Sequence, residues 1–319
     1  MRSLFSLLLL VSFSAAAQSL PQMYFSDSGV IARPIAKDPK LLYFKGQYLM
    51  YYSVPGRDNQ QWSIGIAASQ DLTNWKKVGV IQPAADYEKN GLCAPGAILK
   101  DGKVQLFYQT YGNGRKDAIC HAWSEDGINF TRNPTNPIFH PTGNWTCGRA
   151  IDAEVVEFKN RYFLYFATRD TAFKVQMQGV AATASTRTSF NRDEWTQLVD
   201  SSILKPELPW EKQCIEAATC IQKGKYLYMF YAGGYNNEPQ QIGLARSKDG
   251  IRWDRVTTAP FLPSGAPGEW NESESGHPDI FKAKDGKHYL FFQGNKDKGR
   301  SWYLSRIEVS YNGQWKIVP

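Results

Sequence analysis

The stretch Ile151-Asp-Ala-Glu-Val-Val-Glu-Phe-Lys-Asn160-Arg-Tyr162-Phe-Leu-Tyr-Phe166 joins two apolar runs through a short polar turn. Runs rich in Val, Phe, Tyr and Leu on either side of an Asn or Gly favour two short antiparallel strands. The pattern occurs five times, opening at Asp38, Ala94, Asp152, Glu216 and His277. A turn residue follows eight positions later at Gly46, Gly102, Asn160 and Gly224, and nine later at Gly286. Aromatic-rich runs come next, at 48–52, 104–108, 162–166, 226–230 and 289–292. A second signature closes the copies: Ser69-Gln-Asp71 before Trp75, Ser124-Glu-Asp126 before Phe130 and Ser247-Lys-Asp249 before Trp253, with looser versions ending at Trp195 and Trp315. A further strand lies between hairpin and signature, which makes four strands per unit. Units of this size suit propeller blades with loops, so the sequence predicts an all-β, five-bladed β-propeller with four-stranded antiparallel blades. An N-terminal strand around Val30-Ile-Ala-Arg-Pro34 is expected to complete the last blade and remove its open edge.

Residues 1–17 place Arg2, an apolar run and Ala15-Ala-Ala17 in the order of a secretory signal peptide. The expected product is a secreted or periplasmic protein with one propeller domain over 18–319. No segment approaches the roughly 20 apolar residues of a membrane span, so membrane insertion is not expected. The net charge of +7 comes from 37 Lys and Arg against 30 Asp and Glu. These are scattered, which argues for a solvated surface before an acidic glycan, and against a nucleic-acid partner. Five cysteines (Cys93, Cys120, Cys147, Cys214, Cys220) leave at least one thiol free. A bridge among Cys93, Cys147 and Cys214 is allowed, buried thiols are the preferred reading, and no pair has zinc spacing.

In a propeller the first strand of each blade lines the central channel, so equivalent residues form a ring. That ring would hold Asp38, Asp152, Glu216 and His277. Carboxyls placed together repel when ionised, which raises at least one pKa and separates their roles. Glycoside hydrolysis needs such a separation, with one carboxyl protonated and one ionised. Each acid alone reads as a turn cap, but together they read as a site. A lone His without a Ser or Cys nucleophile pattern is more often structural or a ligand's neighbour. Tyr87, Trp145, Trp210 and Trp270 precede four of the openings by six or seven residues. Such rings can stack on sugar faces, although their repetition argues that most wedge the blades together. Trp145 and Trp210 rank ahead of Trp62 as sugar contacts.

Asp38-Pro39, Ile151-Asp152, Ile215-Glu216-Ala217 and Gly276-His277, in blade order, resemble the five-bladed glycoside hydrolases of family 43 and their clan relatives. The resemblance implies that Asp38 is the general base, that Asp152 orients the acid and tunes its pKa, and that Glu216 is the general acid. It also implies an axial calcium near His277, often reached through water, and a sugar-binding arginine best matched by Arg300 in Gly299-Arg300. Ala217-Ala218 stands where the family commonly has Gly-Pro and Ala153 where it has Pro, which points to a divergent branch. The implied activity is inverting hydrolysis of a furanosyl or pentosyl linkage, such as α-L-arabinofuranosyl, in an oligo- or polysaccharide. Two alternatives stay open: a non-catalytic carbohydrate-binding propeller, and a mannoside phosphorylase, which would need a cluster of basic residues for phosphate.

Overall fold

The computed structural model describes residues 21–28, 33–56 and 61–319; the signal-peptide segment and Val30 to Ala32 lie outside them. Five four-stranded antiparallel sheets follow one another along the chain. The first comprises β1 (Lys37–Phe44), β2 (Gln47–Val54), β3 (Ser63–Ser69) and β4 (Lys76–Ile81). The second comprises β5 (Leu92–Lys100), β6 (Lys103–Thr110), β7 (Ile119–Ser124) and β8 (Thr131–Arg132). The third has β9 (Ile151–Phe158), β10 (Arg161–Arg169), β11 (Gln176–Ala184) and β12 (Thr196–Gln197). The fourth has β13 (Ile215–Lys223), β14 (Tyr226–Gly233), β15 (Gln241–Ser247) and β16 (Asp254–Arg255). The fifth has β17 (Glu274–Lys282), β18 (His288–Asn295), β19 (Tyr303–Tyr311) and β20 (Trp315–Ile317). This is the expected five-bladed propeller. Among the described residues no helix is long and apolar enough to cross a membrane.

Closure differs from expectation. The fourth strand of the last blade is β20, from the C-terminal end, paired to β19 at Val309, Ser310 and Tyr311. Phe25 bridges Leu304 on β19. The bridges Ile119–Phe139, Gln178–Leu204 and Ile242–Leu262 do the same work in the second, third and fourth blades. Both chain ends thus cover one strand edge, with Phe25 the contact.

Five apolar clusters fill the spaces between blades. Phe44, Leu49 and Tyr51 of the first blade, for example, pack with Ala97, Leu106 and Tyr108 of the second. Polar anchors fix the blade order. Tyr51 donates its hydroxyl to the Gly127 carbonyl at 2.9 Å, and Tyr165 donates to Gly250 at 2.8 Å. Both acceptors lie in Ser-x-Asp turns, where the Asp126 and Asp249 carboxylates accept two backbone N–H groups each. The Ser-x-Asp repeats are therefore structural turns. All five cysteines are free thiols, and burial pushes the pKa values of Cys93, Cys120, Cys214 and Cys220 well up.

Candidate active site

Each inner strand breaks register near its start. Pairing jumps between Lys37 and Lys40, Cys93 and Gly96, Glu216 and Thr219, and Gly276 and Asp279. In the third blade, Ile151 pairs with Ala167 and Glu154 with Tyr165, a corresponding break. One residue within each bulge is left-handed: Asp38, Ala94, Asp152, Ala217 and His277, with φ between 44° and 54°. A non-glycine residue there costs of order 1–3 kcal/mol and needs support from its surroundings. Neighbouring blades supply that support. The Asp38 amide donates to Gln293 Oε1 at 2.8 Å, the Ala94 amide to Ser53 Oγ at 2.7 Å and the Asp152 amide to Gln109 Oε1 at 2.7 Å.

The bulges correct the expected ring. Asp38, Asp152 and His277 occupy equivalent positions, but their fourth-blade counterpart is Ala217. Glu216 stands one residue earlier, where the other blades carry Lys37, Cys93, Ile151 and Gly276. Glu216 still joins the cluster, because its neighbours in space hold it there. Gln240 Nε2 donates to Glu216 Oε1 at 2.7 Å, and Gln176 Nε2 donates to Oε2. His277 stands between the two proposed catalytic carboxyls, its Nδ1 2.8 Å from Asp38 Oδ1 and its Nε2 3.2 Å from Glu216 Oε1. Asp152, Glu216 and His277 are buried, and Asp38 is half-buried.

Their charges divide. Burial alone would lower the His277 pKa, but the Asp38 carboxylate and then Glu216 push it well above the ordinary value of 6.5. Burial likewise opposes ionisation of Asp38, yet the His277 cation, with Lys37 behind it, holds Asp38 below the usual carboxylate range. Glu216 is also lowered: the His277 contact and the Gln240 amide outweigh burial. Asp152 is pushed up to about 7, first by burial and then by the Glu216 charge. Its Oδ2 is buried with no hydrogen-bond partner among the described residues. Of the Asp152–Glu216 pair, Asp152 is thus the member that takes up a proton as pH falls through about 7, while Glu216 is held ionised. The resemblance implies a protonated Glu216 tuned by Asp152; here the raised carboxyl is Asp152, and Glu216 is the one held down.

A solvent-open cleft of about 800 Å³ sits over these groups, walled by Lys37, Trp62, Tyr111, Arg149, Arg169 and Tyr235. Of the residues expected to bind sugar, Trp62 lines this cleft, its ring 5.9 Å from that of Tyr111. Trp145 and Trp210 do not line it. A methyl group on Gly243 would lie 2.7 Å from the Trp210 ring and one on Gly233 2.4 Å, so Trp210 lies flat on two strands of its own blade. Trp145 packs the same way on Gly179, 6.5 Å from Phe166. Arg300 is exposed on the β18–β19 connection and takes no part in the cleft wall. Besides His277, the cations at the cleft are Lys37, Arg149 and Arg169, of which only Lys37 is adjacent to a residue the repeat singles out.

Below the cleft, the residues that follow the bulges form a second ring: Lys40, Gly96, Glu154, Thr219 and Asp279. A Cβ on Gly96 would fall 2.1 Å from the Ala153 carbonyl oxygen, so only glycine fits there. The buried Lys40 ammonium lies 2.6 Å from Glu154 Oε2 and 3.0 Å from Asp279 Oδ1. The remaining carboxylate oxygens are taken as well, Glu154 Oε1 by the Cys220 amide at 2.9 Å and Asp279 Oδ2 by the Leu41 amide at 2.9 Å. These residues do not fit an axial calcium: both ring nitrogens of His277 face carboxylates, and the channel's carboxylates already hold an ammonium. Among the described residues no cluster of three His, Cys, Asp or Glu side chains is arranged to hold a metal.

Comparison with known proteins agrees with this architecture. The extracellular endo-alpha-(1->5)-L-arabinanase 1 of Bacillus subtilis (strain 168) is 24% identical over 135 residues, 41% of this chain and 40% of its own. The 1,2-beta-oligomannan phosphorylase of Thermoanaerobacter sp. (strain X514) is 24% identical over 208 residues, 62% of this chain and 64% of its own. The matches therefore span less than two thirds of either relative. The crystal structure of a thermostable family-43 glycoside hydrolase superposes with a TM-score of 0.72 at 18% identity, covering 89% of this chain and 93% of its own, which shows the shared fold. The family model "Glycosyl hydrolases family 43" matches residues 30–315, and the chain belongs to that family.

Proposed function

We propose that this protein is an exported glycoside hydrolase that releases a furanosyl or pentosyl unit, α-L-arabinofuranosyl being the leading candidate, with inversion at the anomeric carbon. The observation that carries the reading is the convergence of Asp38, Asp152 and Glu216 on one cleft with unlike ionisation. Asp38, ionised, takes a proton from water as the water attacks the anomeric carbon. The proton held by the Asp152–Glu216 pair passes through Glu216 to the departing glycosidic oxygen. Asp152 is the reservoir that lets Glu216 act as an acid near neutral pH. The His277 ring keeps the Asp38 and Glu216 carboxyls apart, which supports inversion, since a retaining pair sits closer at ~5 Å. Membership of family 43 and the arabinanase relative support the activity and the sugar class. Residues 1–17 support export, and the blade repeats support a single catalytic domain over 18–319.

The test is a panel of nitrophenyl furanosides and pyranosides, with the product anomer followed by NMR. Turnover of an arabinofuranoside giving the inverted sugar is expected. No turnover of any member would favour a non-catalytic carbohydrate-binding propeller. A second reading, mannoside phosphorolysis, draws on the three cations at the cleft and on the phosphorylase relative. A rate that requires added phosphate would favour it.

A further inference from the structure

Arg149 and Arg169 come from different segments of the third-blade region yet reach the same atom. Arg169 Nε donates to Gln176 Oε1 at 2.9 Å and Arg149 Nη1 donates to it at 3.5 Å. Two guanidinium groups brought to one oxygen repel each other, and that cost is tolerated where negative charge is present. Asp117 provides part of it, 3.3 Å from Arg149 Nε. Arg169 has no carboxylate within ion-pair distance among the described residues. Its guanidinium is instead held 4.5 Å from the centre of the Phe173 ring and 5.2 Å from that of Tyr235, on the cleft wall. A guanidinium oriented by aromatic rings and short of a counter-ion suits recognition of a planar oxyanion through paired N–H donors.

Position decides which oxyanion. Gln176, which takes both guanidiniums on its oxygen, gives its amide N–H to Glu216. Resting on the proposed role of Glu216 as proton donor, the arginine pair faces the leaving-group side of the scissile bond. A phosphate that attacked the anomeric carbon would approach from the Asp38 side. Lys37 is the cation there, and the fields of the Asp38 and Glu274 carboxylates already bear on it.

We propose that Arg149 and Arg169 form a subsite for the carboxylate of an acidic sugar, a uronic acid on the leaving-group side of the cleaved linkage. The substrate class is then an acidic glycan carrying a neutral pentosyl branch.

The test compares galacturonate with galactose, and glucuronate with glucose, for binding to the full chain by titration calorimetry at low salt. Each pair differs at the carboxylate. The acidic member is expected to bind at least tenfold tighter, with the preference lost in Arg169→Met and reduced by salt. Equal affinities in the wild-type chain would overturn the proposal without reference to any variant, as would a preference that survives Arg169→Met. Inorganic phosphate, run in parallel as a reactant, separates the sources: a saturable rise in rate with phosphate would assign the arginines to phosphate and overturn the uronate subsite. Binding is read without turnover, so failure of the hydrolase assignment and failure of this subsite register in different measurements.

Discussion

The Lys40 ammonium of the first blade lies 2.6 Å from the Glu154 carboxylate of the third, across the propeller axis. Thr219 of the fourth blade and Asp279 of the fifth complete the contact, Thr219 donating its hydroxyl to Asp279 Oδ1 at 3.1 Å. Four of five blades are thus tied at the centre by one buried polar network. Such a network fixes geometry because a partial set of contacts would leave charge buried without a partner.

Removing the ammonium should expose that cost. Lys40→Met is expected to lose about 3–5 kcal/mol of stability in chemical denaturation, because Glu154 and Asp279 keep their buried charge. Adding Glu154→Gln and Asp279→Asn should restore most of it. With a lysine at the axis, chelation by EDTA should leave the melting temperature of the wild-type chain unchanged. A fall in melting temperature on chelation would contradict the assignment of the axial cation to Lys40.

The pH profile follows from the buried carboxyls. Asp152 is raised to about 7, so the Asp152–Glu216 pair loses its proton, and the reaction its acid, as pH rises through that value. Asp38 is lowered, so the base stays ionised until pH falls below the ordinary carboxylate range. The profile of kcat should be flat through mildly acidic pH and fall above about pH 7. The same raised pKa makes Asp152 stabilising while neutral: that contribution is full below its unfolded value near 3.8 and is lost as pH rises through about 7. Asp152→Asn should lower kcat at least tenfold and remove the limb near pH 7. A limb that stays in place would assign it to another group.

Two tryptophans, of which the sequence ranks Trp210 ahead of Trp62 as a sugar contact and the cleft lining includes only Trp62, should respond in opposite ways. Trp210→Ala removes a ring packed on Gly233 and Gly243, and is expected to cost about 3 kcal/mol of stability with KM nearly unchanged in the folded fraction. Trp62→Ala removes a cleft wall and should raise KM several-fold, about 1 kcal/mol, with little change in melting. Reversed effects would mean that the wedge and the sugar platform have been exchanged.

The blades were legible because tight turns demand Gly or Asn and the flanking strands are apolar, a signal local in sequence. The site was legible in part, because the propeller turns sequence register into position around an axis. The same logic misplaced Glu216 by one residue. In the first, second and third blades the left-handed turn pair is Lys45-Gly46, Asp101-Gly102 and Lys159-Asn160, with the Gly or Asn second. In the fourth blade Gly224 directly follows Lys223, the last strand residue, and so stands first in the turn. Counting back from the glycine therefore slips the alignment, and no local signal marks the bulge that does so. Lys40, Glu154 and Asp279 were hidden for the same reason, since the bulge decides which residue follows it onto the axis. Arg149 and Arg169 reach the cleft through long-range contacts to Gln176 and Asp117, which no spacing in the chain records. Arg300 rests on a dipeptide match alone, and its side chain is exposed on the β18–β19 connection, off the cleft wall.

The most direct test of the whole account is the turnover of methyl α-L-arabinofuranoside by Glu216→Gln beside the wild-type chain. Methoxide leaves only with a proton, whereas nitrophenolate departs without one, so this substrate isolates the acid. The account predicts a loss of at least ~10²-fold with an unchanged melting temperature. Turnover equal to wild type would contradict it.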